Sequence, residues 1–158
     1  MSDNLDHQKN PNDYEIIHIL NEKHQENLLN LYKNEWWSKN RTTDDVEKIL
    51  KGSQIIIGVI DKKKSENGLL IGFGRVLTDY FKYAYIHDIM VDKNYRGKGF
   101  GALIMKSIIQ HPELKTLKHI ELTCVENMVP FYKKYSFHNE TYGNSIPMRR
   151  TNFSSSIS

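Results

Sequence analysis

Apolar residues fall into short strand-like runs over the first half of the chain, with helical stripes set between them. Tyr14 to Leu20 carries enough Ile, Leu and Tyr for a first strand. From Glu22 to Trp37 the apolar positions are Leu28, Leu31, Tyr32 and Trp36, the stripe of an amphipathic helix. Thr42 followed by Asp44 and Asp45 marks a second helix start, Val46, Ile49 and Leu50 supply its apolar face, and Gly52 ends it. Gln54 to Ile60 is continuous and β-branched, which predicts a strand buried on both faces. Asp61 to Gly68 is a charged turn. Leu69 to Thr78 is the hairpin partner, Asp79 to Lys82 turns the chain again, and Tyr83 to Val91 is the next strand. This part reads as an antiparallel meander.

The pattern changes after Val91. Phe100, Leu103, Ile104 and Ile108 stand at i, i+3, i+4 and i+8, a buried helical face running to about His111-Pro112, where proline discourages continuation. Leu117 to Cys124 is another strand. Strand, helix, strand in that order predicts a parallel, right-handed crossover. Pro130 to Tyr135 reads as a short helix and Ser145 to Arg150 as a last strand. The expectation is an α/β (α+β) domain over residues 14–150, a mixed sheet with helices on both faces. Met1 to Asp13 is expected to be a disordered lead-in and Thr151 to Ser158 a frayed tail.

Composition narrows the function classes. A chain of 158 residues, 39% hydrophobic and 26% charged, can bury one core without disulfides or metals. Its net charge of +3 is spread along the sequence without a long Lys/Arg block, which argues against nucleic acid as a partner. No apolar run approaches the roughly 18 residues of a membrane span, and the first residues lack the apolar core of a signal peptide. The lone cysteine, Cys124, forbids an intramolecular disulfide and favours a cytoplasmic setting. The seven histidines are scattered, with no ligand pair on one helix face, so no metal is expected.

The strongest chemical signal is Arg96-Gly97-Lys98-Gly99-Phe100-Gly101, between a strand and a helix. A glycine-rich turn that opens a helix aims several backbone N–H groups at one point. The helix dipole and the two cations add positive charge there, which suits a phosphate or pyrophosphate. The competing reading is a basic turn in which glycine only relieves backbone strain.

Val91-x-x-x-Tyr95-Arg96-Gly97-x-Gly99-x-Gly101 after the fourth strand resembles the GNAT superfamily of acetyl-CoA-dependent N-acetyltransferases. So does Asn127-Met128-Val129-Pro130-Phe131-Tyr132-Lys133-Lys134-Tyr135-Ser136-Phe137 after the fifth, similar to that superfamily's Phe-Tyr-x-Lys-x-Gly-Phe segment. The resemblance implies a mostly antiparallel sheet of six to seven strands with four helices. Tyr85 to Gly101 and Leu122 to Phe137 are similar to glucosamine-6-phosphate N-acetyltransferases. Trp36-Trp37-x-x-x-Arg41, Gly72 to Asp79 and His111-Pro112-x-Leu114 look more like bacterial-type members with unassigned acceptors. Departures from the sugar-phosphate pattern are His87-Asp88, Val125, Asn127 and Ser136, the last standing where the superfamily has glycine.

What the resemblance implies follows residue by residue. Acetyl-CoA is the expected cosubstrate. Its pyrophosphate would sit on the N–H groups of Arg96, Gly97, Lys98, Gly99, Phe100 and Gly101, and its pantetheine arm would pair with the backbone of Ile89, Met90 and Val91. Asn127 and Phe131 complete the expected coenzyme contacts. Tyr132 matches the tyrosine whose hydroxyl points at the sulfur, the candidate general acid. His87 and Asp88 are the two candidates for the base, with a water chain as the third option. Strand alternation places them on opposite faces unless the strand bulges. The acceptor pocket would come from the N-terminal helices and the turn between the third and fourth strands, with Trp36, Trp37, Arg41, Arg75 and Tyr80 as its expected lining and Asp79 and Phe81 beside them. The expected reaction moves an acetyl group onto a primary amine of a small molecule. Glucosamine 6-phosphate is the alternative acceptor, and a non-catalytic acyl-CoA-binding module the alternative class. Many members of the superfamily pair through sheet edges or C-terminal strands, so a homodimer is an open expectation.

Overall fold

The computed structural model describes residues 10–139 and 145–152. Five strands form one sheet in the order β1-β2-β3-β4-β5: Tyr14–Ile17, Ile55–Asp61, Leu69–Thr78, Tyr83–Val91 and His119–Leu122. The first three pairings are antiparallel and the β4–β5 pairing is parallel. Four α-helices accompany them: α1 Glu22–Asn34, α2 Thr43–Lys51, α3 Phe100–Ile109 and α4 Val129–Lys133. The mixed, mostly antiparallel sheet and the four helices follow the sequence pattern.

Two apolar clusters flank the sheet. Leu28, Leu31 and Tyr32 of α1 and Val46 of α2 pack with Leu70, Phe73 and Met90 on one face. On the other, Phe100, Ile104, Met105 and Ile108 of α3 pack with Ile57, Ile71, Val76 and Ile86, and Phe131 and Tyr132 of α4 lie against them. Met105 takes a fully buried position, while Leu103 is half-buried.

The number of strands is smaller than the six to seven expected. Ser145 to Arg150 forms no strand. Pro147 has no N–H to give a ladder, and Ile146 and Met148, which alternation would place on one face, are 76% and 95% exposed. Strand β1 stops at Ile17 rather than Leu20, and β5 spans four residues rather than the whole of Leu117 to Cys124. Helix α1 stops before the tryptophans. Glu35 is extended, and the buried Ser38 hydroxyl donates to the Tyr32 carbonyl at 2.7 Å, satisfying a helix-end acceptor. The expected lead-in and tail lie largely outside the described residues. Within them, Pro11–Asp13 makes a 3-10 turn capped by Asn10. No helix among the described residues is long and apolar enough to cross a membrane.

One glycine sets how closely α3 can approach the sheet. A Cβ on Gly74 would stand 2.7 Å from Ile89 Cδ1 and 2.8 Å from Ile104 Cγ2. Gly74→Val is therefore expected to cost about 1–3 kcal/mol by overpacking. That should lower a thermal melting midpoint by several degrees; an unchanged midpoint would mean that α3 is not seated on β3 at this point.

Candidate active site

The glycine loop is anchored at both ends. Before it, the Tyr95 hydroxyl donates to the buried Asp61 carboxylate at 2.8 Å, and burial followed by that contact raises the phenol's pKa. After it, Phe100 is 1% exposed and its ring meets Tyr14 edge-on at 4.7 Å. Between these anchors Gly97 and Gly99 adopt left-handed backbone, φ +74° and +81°. A Cβ on Gly97 would meet nothing within 4 Å, so glycine serves the backbone angle there and not a crowded contact.

Gly99 caps α3 without any side-chain acceptor, whereas Asn21 and Thr42 each accept an N–H at the starts of α1 and α2. The one helix start in this group that lacks a side-chain oxygen is thus the one facing the loop, where an external anion can take its place. The flanking cations are partly engaged. Arg96 pairs with Glu35 at 2.7 Å and donates through Nε to the Val91 carbonyl, while the Lys98 ammonium stands 5.6 Å from the Tyr95 ring centre.

Upstream of the loop, β4 bulges. Phe73 pairs with Met90 and Arg75 with His87, so two steps along β3 match three along β4. Asp88, inside this interval, has φ +56°. The extra residue changes the parity of the strand. Ile86 points into the α3-side core and Met90 into the α1-side core. His87 and Asp88 therefore both face the α1–α2 side, the arrangement that a regular strand forbids.

A polar cluster closes over that face. Asp88 Oδ2 accepts from the Tyr32 hydroxyl at 2.7 Å and from Arg75 Nε at 2.6 Å. Arg75 reaches the Ser53 hydroxyl with its other end. The Arg41 guanidinium lies 5.8 Å from the Tyr32 ring centre, and Trp37 meets that ring edge-on at 6.0 Å. Burial, then the Asp88 charge, drives the Tyr32 phenol's pKa far up, so it stays a neutral donor. The His87 ring lies tilted against Tyr85, centroids 4.6 Å apart, and its pKa is lowered by burial first and the Arg75 charge second, against a smaller upward pull from Asp88.

The opposite edge of β4 is open beyond this point. Parallel pairing with β5 runs from Tyr83–His119 to Ile86–Leu122 and stops, so His87 to Val91 have β3 on one side and, among the described residues, no strand on the other. Past β5, a 3-10 turn at Glu126–Met128 carries the exposed Asn127 and leads into α4. Phe131 packs over Gly101, 3.4 Å from where its Cβ would be. Tyr132 lies between Phe131 and Phe137, and burial, with a smaller contribution from the nearby Cys124, pushes its phenol up to about 12. Ser136 holds φ +65°, the angle that explains glycine at the corresponding place in the motif.

The remaining sequence-derived candidates separate. Trp37, Arg41 and Arg75 join the Tyr32–Asp88 cluster, while Trp36 is 66% exposed. Tyr80 sits at the β3–β4 hairpin tip with its hydroxyl on the Gln54 carbonyl. Asp79 accepts three N–H groups of that turn, a local structural role, and Phe81 is exposed. Tyr32 and Glu35 were not expected in the site. Tyr32 belongs to an apolar stripe and its hydroxyl meets a residue 56 positions on, so nothing local announces it. Among the described residues no group of three or more His, Cys, Asp or Glu could hold a metal.

The profile of the acetyltransferase (GNAT) family matches residues 15–137. The uncharacterized N-acetyltransferase ycf52 of Pyropia yezoensis is 33% identical over 121 residues, covering 73% of this chain and 68% of that protein. Among solved structures, a GNAT-family protein from Xanthomonas campestris pv. campestris superposes with TM-score 0.72 at 22% identity, over 87% of this chain and 93% of its own. Glucosamine-6-phosphate N-acetyltransferase from Arabidopsis thaliana superposes with TM-score 0.66 at 18% identity, over 89% and 99%. At these identities the two structures speak for the fold alone, whereas the profile and the ycf52 match also carry the family. The chain belongs to the GNAT family of N-acetyltransferases.

Proposed function

We propose that this chain transfers an acetyl group from acetyl-CoA to the primary amine of a small molecule by direct attack on the thioester. The observation that carries the reading is the open edge of β4, ending in a glycine loop at a helix start without a side-chain cap. Acetyl-CoA supplies an activated acetyl group on a thiolate leaving group. The backbone edge of Ile89, Met90 and Val91 that faces away from β3 suits the amides of a pantetheine arm, and the N–H groups from Arg96 to Gly101 suit a pyrophosphate. Phe131 and Asn127 stand on the α4 side of the same gap. An acceptor approaches from the α1–α2 face, where Trp37, Arg41 and Arg75 lie, with Trp36 at the rim. A cytoplasmic setting fits a free, half-buried Cys124.

His87 receives the amine proton in this reading. Its lowered pKa keeps the ring neutral, and so able to accept, at pH 7. Tyr132 works on the sulfur. A phenol at about 12 is a weaker acid than a thiol near ~8.5, so its hydroxyl stabilises the departing sulfur chiefly by a hydrogen bond rather than by complete proton transfer.

The direct test is thiol release from acetyl-CoA over a panel holding a sugar-phosphate amine (glucosamine 6-phosphate), a polyamine, an arylalkylamine and a lysine peptide. Acceptor-dependent release supports the transferase; coenzyme binding with no release across the panel would leave a non-catalytic binder. Gly99→Asp puts a carboxylate where the pyrophosphate belongs and should weaken coenzyme A binding by calorimetry at least about tenfold; unchanged affinity would remove the loop from the site. Tyr132→Phe should lower kcat by about 10- to 100-fold with coenzyme affinity nearly unchanged, and equal turnover would remove Tyr132 from the chemistry. The pH–rate profile should fall on its acid side at a pH below the ordinary histidine value of 6.5, because protonation of a ring with lowered pKa occurs there. His87→Ala should abolish that limb; its persistence would assign the base elsewhere.

A further inference from the structure

We propose that Tyr32 and Arg75 form a positioning pair that holds Asp88 and, through it, the β4 bulge, so that Asp88 presents His87 to the acceptor and is not itself the base. The inference rests on the acetyl-transfer reading above and assigns a part to Tyr32 within it.

The geometry is specific. Asp88 is a non-glycine residue with φ +56°, a conformation that needs support from its surroundings. Both donors converge on the same oxygen, Oδ2, one from α1 and one from β3. The Asp88 and Arg75 side chains are only 11% and 16% exposed, so the carboxylate's charge is already matched by a guanidinium held against it. A guanidinium and a second donor already occupy that oxygen and fix the carboxylate in place. Held so, it is a good strut. Were the bulge to relax into regular strand, alternation would return His87 and Asp88 to opposite faces.

Tyr32 is placed to be read by a single atom. Its ring is fully buried among Trp37, Phe73 and the Arg41 guanidinium, so Tyr32→Phe keeps the packing and removes only the hydroxyl. Because both donors use Oδ2, Asp88→Asn can keep both bonds on its carbonyl oxygen, and Asn tolerates positive φ. Asp88→Ala keeps neither.

The test compares Asp88→Asn, Asp88→Ala and Tyr32→Phe by two readouts. One is kcat with acetyl-CoA and whichever panel amine the wild type acetylates fastest. The other is the amide chemical shifts of residues 87–90 in the 15N-labelled protein. Asp88→Asn should keep kcat within about fivefold and leave the shifts in place, while Asp88→Ala should lose at least about 50-fold and Tyr32→Phe about tenfold, at unchanged coenzyme affinity and with displaced shifts. A folded Asp88→Asn as inactive as Asp88→Ala would mean that the charge itself is required, and would overturn the proposal. So would a Tyr32→Phe protein that melts lower but turns over normally with unmoved shifts. Absence of turnover in the wild type would sink the acetyl-transfer reading instead, and the shifts would still decide whether the bulge depends on the pair.

Discussion

Parallel pairing between β4 and β5 stops at Ile86 and Leu122, and the site depends on that stop. A strand with neighbours on both sides has no free backbone groups. Here β4 keeps β3 along one edge and loses β5 along the other just where it bulges. Three things then meet within a few residues. The bulge turns His87 and Asp88 to one face. The open edge leaves N–H and C=O groups free of a strand partner. The chain then runs directly into a glycine loop whose helix carries no side-chain cap. Helix α4 supplies the other wall, with Phe131 packed over Gly101.

The two cores make this affordable. Apolar clusters on both faces fix β4 at Ile86 on one side and Met90 on the other, so the bulge between them has fixed ends. The polar cluster of Tyr32, Arg75 and Asp88 completes the α1-side core and also borders the proposed acceptor face. Stability and the proposed acceptor geometry thus share residues there, and substitutions at these positions are expected to couple.

Much of the fold was legible because the signals are local. Strands β3 and β4 run over the residues their hydrophobic pattern predicts, and Thr42 with Asp45 forms the capping box that opens α2. The same approach failed where tertiary contacts decide. Trp36 and Trp37 extend the apolar stripe of α1, yet Ser38 takes the Tyr32 carbonyl and ends the helix. Ser145 to Arg150 has strand-like residues but Pro147 in its middle, and Ile146 and Met148 are exposed. In the site, the loop was readable because left-handed Gly97 and Gly99 answer a local demand. Tyr32 was not, since a tyrosine on an apolar stripe looks like packing until its distant partner is seen. One trace of the bulge does stand in the sequence: alternation through Tyr83-Ala84-Tyr85-Ile86-His87 breaks into the apolar run Ile89-Met90-Val91.

The most direct measurement is a titration of the 15N-labelled protein with coenzyme A, followed by amide chemical shifts. Docking along the open edge of β4 predicts that the largest changes fall on residues 87–91, 97–102 and 127–132. Changes concentrated elsewhere, for instance over residues 62–68 of the β2–β3 turn, or no changes at saturating coenzyme, would contradict the account.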